Sequence, residues 1–165
     1  MLDRNRVARA LTDIMAARGE IAPLVSLEQA VFLADRRNSL SLRYLIIQAV
    51  EAMADVCQHI LAKTQGVLCE GYVDCLLKAG EQGIISTSLS QKLRQLATLR
   101  NILVHRYWVV DDVRLYEETH AGQNDLTAFV QEIETFVQKE SPVAPTSDAP
   151  DTGEGSRLHG PDPCA

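Results

Sequence analysis

The chain has 165 residues, 46% apolar and only 5% aromatic, with 16 Lys and Arg against 22 Asp and Glu for a net charge of −6. That length supports one domain with a sizeable core and excludes two of ordinary size. Abundant Leu, Ala and Gln, with few Gly or Pro before residue 140, favour packed helices over sheet, so the expected class is all-α.

The first predicted helix runs from near Asp3 to Arg18, with Val7, Leu11, Ile14 and Met15 at helical spacing, Gly19 just past its end and a link carrying Pro23. Ser26, Glu28 and Gln29 open a short helix through about Arg36 whose apolar stripe is Leu27, Ala30, Val31 and Ala34. Asn38 and Ser39 read as the next start. From Leu40 to Thr64, Leu42, Leu45, Ile46, Ala49, Val50, Met53, Val56, Cys57, Ile60 and Leu61 recur at three- and four-residue steps, a central bundle helix ended by Gly66.

Tyr72 to Ala79 fits a two-turn helix, with Gly80 and Gly83 at its exit. Ser86 or Ser88 then caps a helix whose Leu89, Leu93, Leu96, Leu99 and Leu103 face the core. Asp111 to Val113 start another helix through about Thr119, Gly122 breaks it, and Leu126, Phe129, Val130, Ile133 and Val137 form a last amphipathic helix. Residues 1–139 are thus the expected helical domain, and 140–165, rich in Pro, Gly, Ser and acids, a disordered tail.

Cys57, Cys69, Cys75 and Cys164 form no C-x-x-C pair, and the expectation is free thiols in a reducing cytosol. Arg4, Arg6 and Arg9 interrupt any apolar leader, and no apolar run approaches the roughly 18 residues of a membrane span, so a soluble cytoplasmic protein with no membrane partner is expected. Half of the net charge lies in residues 141–165. No acid occurs from Gln82 through Val110, where Lys92, Arg94, Arg100 and Arg106 make a local cationic strip.

The strip contains L-R-N-I-L-V-H-R-Y-W, Leu99 to Trp108, which sets Arg100, Asn101 and His105 in an otherwise apolar helical run. At about 100° per residue Asn101 and His105 share one stripe, and Arg100 and Tyr107 the adjacent one. An unpaired buried guanidinium would cost several kcal/mol, so this sector is expected to face a partner, a cleft or a phosphate. His59 and His120 read as structural, and His159 in the tail receives no role.

The run R-N-I-L-V-H-R-Y, Arg100 to Tyr107, resembles the Arg, polar residue, three others, His, one other, Tyr signature of the HepT-like branch of the HEPN superfamily. The upstream helix Arg43 to Ile60 and the segment Y-V-D-C-L-L-K-A-G-E-Q-G-I-I are similar to that family as well, and the resemblance covers about residues 3 to 138.

The resemblance implies an antiparallel helical bundle that homodimerises around a shared cleft. It also implies a toxin of a type VII-like toxin–antitoxin system, with metal-independent endoribonuclease activity and no cofactor. Arg100 and His105, with Asn101, would be catalytic: His105 moves the ribose 2′-hydroxyl or leaving-group proton, Arg100 clamps the phosphorane-like transition state, and Asn101 orients one or the other. Arg94 and Arg106 would hold the RNA backbone, tRNA being one candidate. The implied partner is a nucleotidyltransferase antitoxin of the MntA type that adenylylates Tyr107, against the plainer reading that Tyr107 packs beside Trp108. The absence of a carboxylate cluster near the motif fits chemistry without metal ions. The alternatives are a non-catalytic helical subunit that binds substrate or nucleotide for a nucleotidyltransferase, and a purely structural bundle. An intact Arg100, Asn101 and His105 set argues against the first of these, because a pure binding subunit has no use for a proton-transfer residue beside a phosphate clamp.

Overall fold

The computed structural model describes residues 1–140, so all but the first residue of the expected tail, with Cys164 and His159, lies outside the described residues. Among the described residues six α-helices make an all-α antiparallel bundle: α1 Arg4–Val25, α2 Gln29–Ala34, α3 Arg36–Ile60, α4 Tyr72–Glu81, α5 Thr87–His105 and α6 Asp112–Lys139. A π turn, Leu61–Gln65, prolongs α3 until Gly66 ends it at φ 65°, and a 3-10 turn, Tyr107–Val109, links α5 to α6.

The core forms around α3, which packs on every other helix. All ten of its predicted apolar positions from Leu42 to Leu61 are buried. α3 with its π turn is also long and apolar enough to cross a membrane, contrary to the sequence estimate; its apolar stretch is, however, 61% buried inside the bundle.

Side-chain caps set several boundaries. Asp3 accepts from the Arg6 N–H at 3.0 Å, Asp35 from Arg37 at 2.9 Å, Ser86 from Leu89 at 3.3 Å and Asp111 from Arg114 at 2.7 Å. Asp35, rather than Asn38 or Ser39, therefore begins α3.

Four expectations about the helices fail. α1 does not stop at Gly19 but continues through Pro23 to Val25, because Ile21 and Val25 are fully buried and hold the extra turn. Its end is closed by Ser26, whose hydroxyl donates to the Ala22 carbonyl at 2.6 Å, so Ser26 does not start α2. α2 buries Phe32, 5.1 Å from the Tyr116 ring, instead of the Ala30, Val31 and Ala34 stripe. Gly122 breaks nothing: α6 is one helix of 28 residues.

Cys69 and Cys75 are joined in a disulfide, which corrects the expectation of free thiols. Segment 66–71 folds back over the start of α4, where the Glu70 N–H donates to Asp74 at 2.8 Å and Lys78 Nζ to the Leu68 carbonyl at 2.8 Å. That fold brings the two Cα atoms to 5.0 Å. Cys57 remains a free buried thiol, pushed up to about 12 by burial.

Candidate active site

α5 carries the three predicted catalytic residues, and their surroundings differ. Its leucine stripe Leu89, Leu93, Leu96, Leu99 and Leu103 is buried as expected, which fixes the rotation of the helix against α3, α4 and α6. That rotation turns Arg100 inward, with 7% of its surface exposed. Five residues on, about 140° around the helix, His105 ends α5 exposed to solvent, and it has no hydrogen-bond or ion-pair partner among the described residues.

Arg100 is not left unpaired, and the partner it meets lies within the fold. Its Nη2 donates to Glu51 Oε1 of α3 at 2.6 Å and to the Tyr72 hydroxyl of α4 at 3.3 Å, and its guanidinium carbon lies 4.0 Å from the Tyr72 ring centroid. Nη1 reaches Asn101 Oδ1 at 3.4 Å, and Nε is buried without a partner. Glu51 is itself half exposed, so the ion pair has one face buried against aromatic and aliphatic groups and one open to water. Such a guanidinium is held in place by its stack while its charge remains reachable from the Glu51 side.

Glu51 and Tyr72 are the members that sequence reasoning missed. Glu51 is an acid within the apolar run A-V-E-A-M-A of the central helix, a signal that could have been read as half of a pair. Tyr72 carries no such mark: only packing of α4 on α5 shows that its ring covers Arg100.

Tyr107 does not share a helical stripe with Arg100, because α5 ends two residues before it. The chain turns through Tyr107–Val109, closed by the Val109 N–H donating to the Arg106 carbonyl at 2.9 Å. Tyr107 and Trp108 are 64% and 70% exposed, their rings edge to face at 5.3 Å. Arg43 of α3 spans the turn: Nη1 donates to the Tyr107 carbonyl at 3.2 Å, and Nη2 to the Val110 carbonyl at 2.7 Å and to Asp112 at 2.8 Å. The plainer expectation, Tyr107 packed beside Trp108, describes the ring contact but not burial.

Arg94 and Arg106 are exposed, and neither is ion-paired among the described residues. His59 and His120 take structural places: His59 Nε2 accepts the Asp3 N–H at 2.9 Å, and His120 Nδ1 lies 3.0 Å from the Val25 carbonyl. Among the described residues, no group of three or more His, Cys, Asp or Glu side chains is placed to hold a metal ion.

An all-α bundle with an Arg-x4-His pair at the end of its fifth helix, one member clamped and the other free, defines a HEPN-type protein. The chain belongs to the HepT-like ribonuclease family, whose model matches residues 14–133. It is 29% identical over 100 residues to a protein of Archaeoglobus fulgidus provisionally named an RNase, spanning 60% of this chain and 74% of that one. Among solved structures, it is similar to the cytosolic protein YutE of Bacillus subtilis, whose function is unknown, at TM-score 0.73 and 19% identity over 87% of this chain and 96% of the other. A toxin–antitoxin structure with AMP-PNP matches at TM-score 0.68 and 23% identity over 82% and 99% of the two chains. A mutant MntA–HepT toxin–antitoxin structure matches at TM-score 0.69 and 20% identity over 79% and 98%.

Proposed function

We propose that this chain is the toxin of a type VII-like toxin–antitoxin pair, a cytoplasmic endoribonuclease that needs no metal ion. The observation that carries this reading is the pairing on α5 of a buried, stacked Arg100 with an exposed, unpartnered His105. A structural histidine on this bundle is bonded, as His59 and His120 are. His105 is not.

In the proposed reaction His105 takes the proton of a ribose 2′-hydroxyl, and the 2′-oxygen attacks the adjacent phosphorus. The bond to the 5′-oxygen breaks, leaving a 2′,3′-cyclic phosphate and a 5′-hydroxyl once that oxygen is protonated. An imidazole suits both proton transfers, since it gains and loses protons near neutrality. The incoming phosphate competes with Glu51 for the Arg100 guanidinium, whose planar fork matches a phosphorane bidentately. Asn101 orients the phosphate or the imidazole as a neutral group. Arg94 and Arg106 meet the RNA backbone, a folded RNA such as tRNA being the expected substrate class. Two copies of the chain joined about the motif helices form the cleft.

The antitoxin in this reading is an MntA-type nucleotidyltransferase that adenylylates Tyr107, and the exposed Tyr107 hydroxyl two residues from His105 supports it. An added adenylate brings charge and bulk that exclude an RNA phosphate. The similarity to a toxin–antitoxin structure holding AMP-PNP supports an adenine nucleotide as donor.

The decisive experiment is cleavage of total and transfer RNA in excess EDTA by wild type, Arg100→Ala and His105→Ala, with chemical analysis of product ends. Wild-type cyclic-phosphate ends with at least a 100-fold loss in each variant are expected. Equal, absent cleavage in all three, with the folded state intact, would replace the nuclease with a binding subunit that serves a nucleotidyltransferase.

A further inference from the structure

The turn that carries Tyr107 has no buried residue of its own: Tyr107, Trp108 and Val109 are all exposed, and one backbone hydrogen bond closes it. Exposed three-residue turns of that kind sample many conformations unless something outside them fixes the backbone. Here one side chain does so. Arg43, four-fifths buried, reaches from α3 to the carbonyls on both ends of the turn and closes the set on Asp112 in the first turn of α6. Val110, buried beneath the turn, is its apolar anchor.

We propose that Arg43 is the positioning residue for modification of Tyr107: it sets the direction in which the phenol is presented to the nucleotide donor. This rests on the reading of Tyr107 as the adenylylation site. In that reaction the Tyr107 oxygen attacks the α-phosphorus of ATP and a new O–P bond forms. The bond to the bridging oxygen of the β-phosphate breaks, pyrophosphate leaves, and the phenol proton passes to a base of the transferase or to water. In-line attack requires the phenol oxygen opposite the leaving pyrophosphate, and a displacement of about 1 Å costs on the order of 100-fold. A guanidinium fork holds two carbonyls at fixed separation. A lysine ammonium is a point donor on a flexible stem and reproduces only part of that hold. The hydrolytic residues stand apart from it, because His105 is fixed by α5 itself and Arg100 by Glu51 and Tyr72.

Trp108 is the only tryptophan of the chain, so its fluorescence reports on this turn alone. Time-resolved anisotropy of Trp108 in the full chain is expected to show a larger fast depolarisation in Arg43→Ala than in wild type, with Arg43→Lys between them. With the cognate nucleotidyltransferase and ATP, and Tyr107 followed by mass, kcat for transfer falls about 10- to 100-fold in Arg43→Ala. KM for ATP stays unchanged, Arg43→Lys recovers part of the loss, and RNA cleavage by the unmodified variants persists. Identical anisotropy in the three proteins overturns the anchoring role. Altered anisotropy with wild-type transfer kinetics overturns the positioning role. If Arg43→Ala does not fold, a folded Arg43→Lys with wild-type anisotropy and rate overturns the proposal equally. No modification of wild-type Tyr107 instead defeats the adenylylation reading on which it rests, an outcome that the anisotropy arm keeps distinct.

Discussion

Arg100 and His59 show how one buried polar side chain is satisfied while another registers pH. Arg100 spends its charge on Glu51 and its flat face on Tyr72, so removing Glu51 would leave a buried cation with only neutral partners. His59 is held below the ordinary imidazole range, first by burial and then by the nearby Arg6, and its neutral Nε2 accepts the Asp3 N–H at the start of α1. Its folded pKa lies below the unfolded value of about 6.5, so the unfolded chain takes up the proton first. The stability from neutral His59 is therefore fully present above pH 6.5 and is lost as pH falls through the depressed folded value. Thermal unfolding monitored between pH 7.5 and 5 should show Tm falling on acidification, with the fall reduced in His59→Gln. Asp3, held low chiefly by its bond to the Arg6 N–H, and Asp35, held low chiefly by the Arg37 side chain, add their losses only below about pH 4.

Two glycines on helices make opposite predictions at the scale of the element. Gly122 lies inside α6, where an added Cβ meets nothing closer than an Asp125 oxygen at 4.0 Å. Gly122→Ala should stabilise by about 0.5–1 kcal/mol through lower unfolded-state entropy, read as a higher urea midpoint. Gly80 ends α4 against α5, where a Cβ would stand 2.6 Å from both Cβ and Oγ of Ser90, whose hydroxyl donates to the Leu76 carbonyl at 2.9 Å. Gly80→Ala should destabilise by about 1–3 kcal/mol in the same titration, because the two helices must part. Gly122 misleads as a helix breaker because its penalty of about 1 kcal/mol is smaller than the gain from burying Leu115 and Leu126 on either side. Pro23 misleads likewise, since it sits in the last turn of α1, with Ile21 and Val25 buried on both sides of it.

For the molecule as a whole, the surface that stands out is the exposed apolar one beside the motif turn. Leu40 and Tyr44, one turn apart on α3, are half to two-thirds exposed, and Leu40 lines the same groove as Tyr107 and Trp108. A protein of this size does not usually leave such a group of large side chains in water without an interface to cover it. If two copies bury Leu40 and Tyr44, light scattering should give the mass of a dimer, and Leu40→Asp with Tyr44→Asp should give a folded monomer with lowered RNA cleavage. A monomeric wild type that still cleaves RNA would remove the shared-cleft mechanism while leaving Arg100 and His105 in place.

The sequence by itself determined the helical class, the buried stripes of α3 and α5, and the segment in which Arg, Asn and His stand together. Each of these depends on periodicity and residue type along one helix, and the 3.6-residue repeat translates directly into a face. Only the tertiary structure decided which groups Arg100 meets, where α1 ends, that α6 runs unbroken through Gly122, that Cys69 is bonded to Cys75, and that Arg43 braces the Tyr107 turn. The Arg100 and Arg43 contacts join residues far apart in the chain, 49 positions between Glu51 and Arg100 and 64 between Arg43 and Tyr107. Local propensities of tenths of a kcal/mol carry no information about such pairings, whereas packing of whole helix faces fixes them.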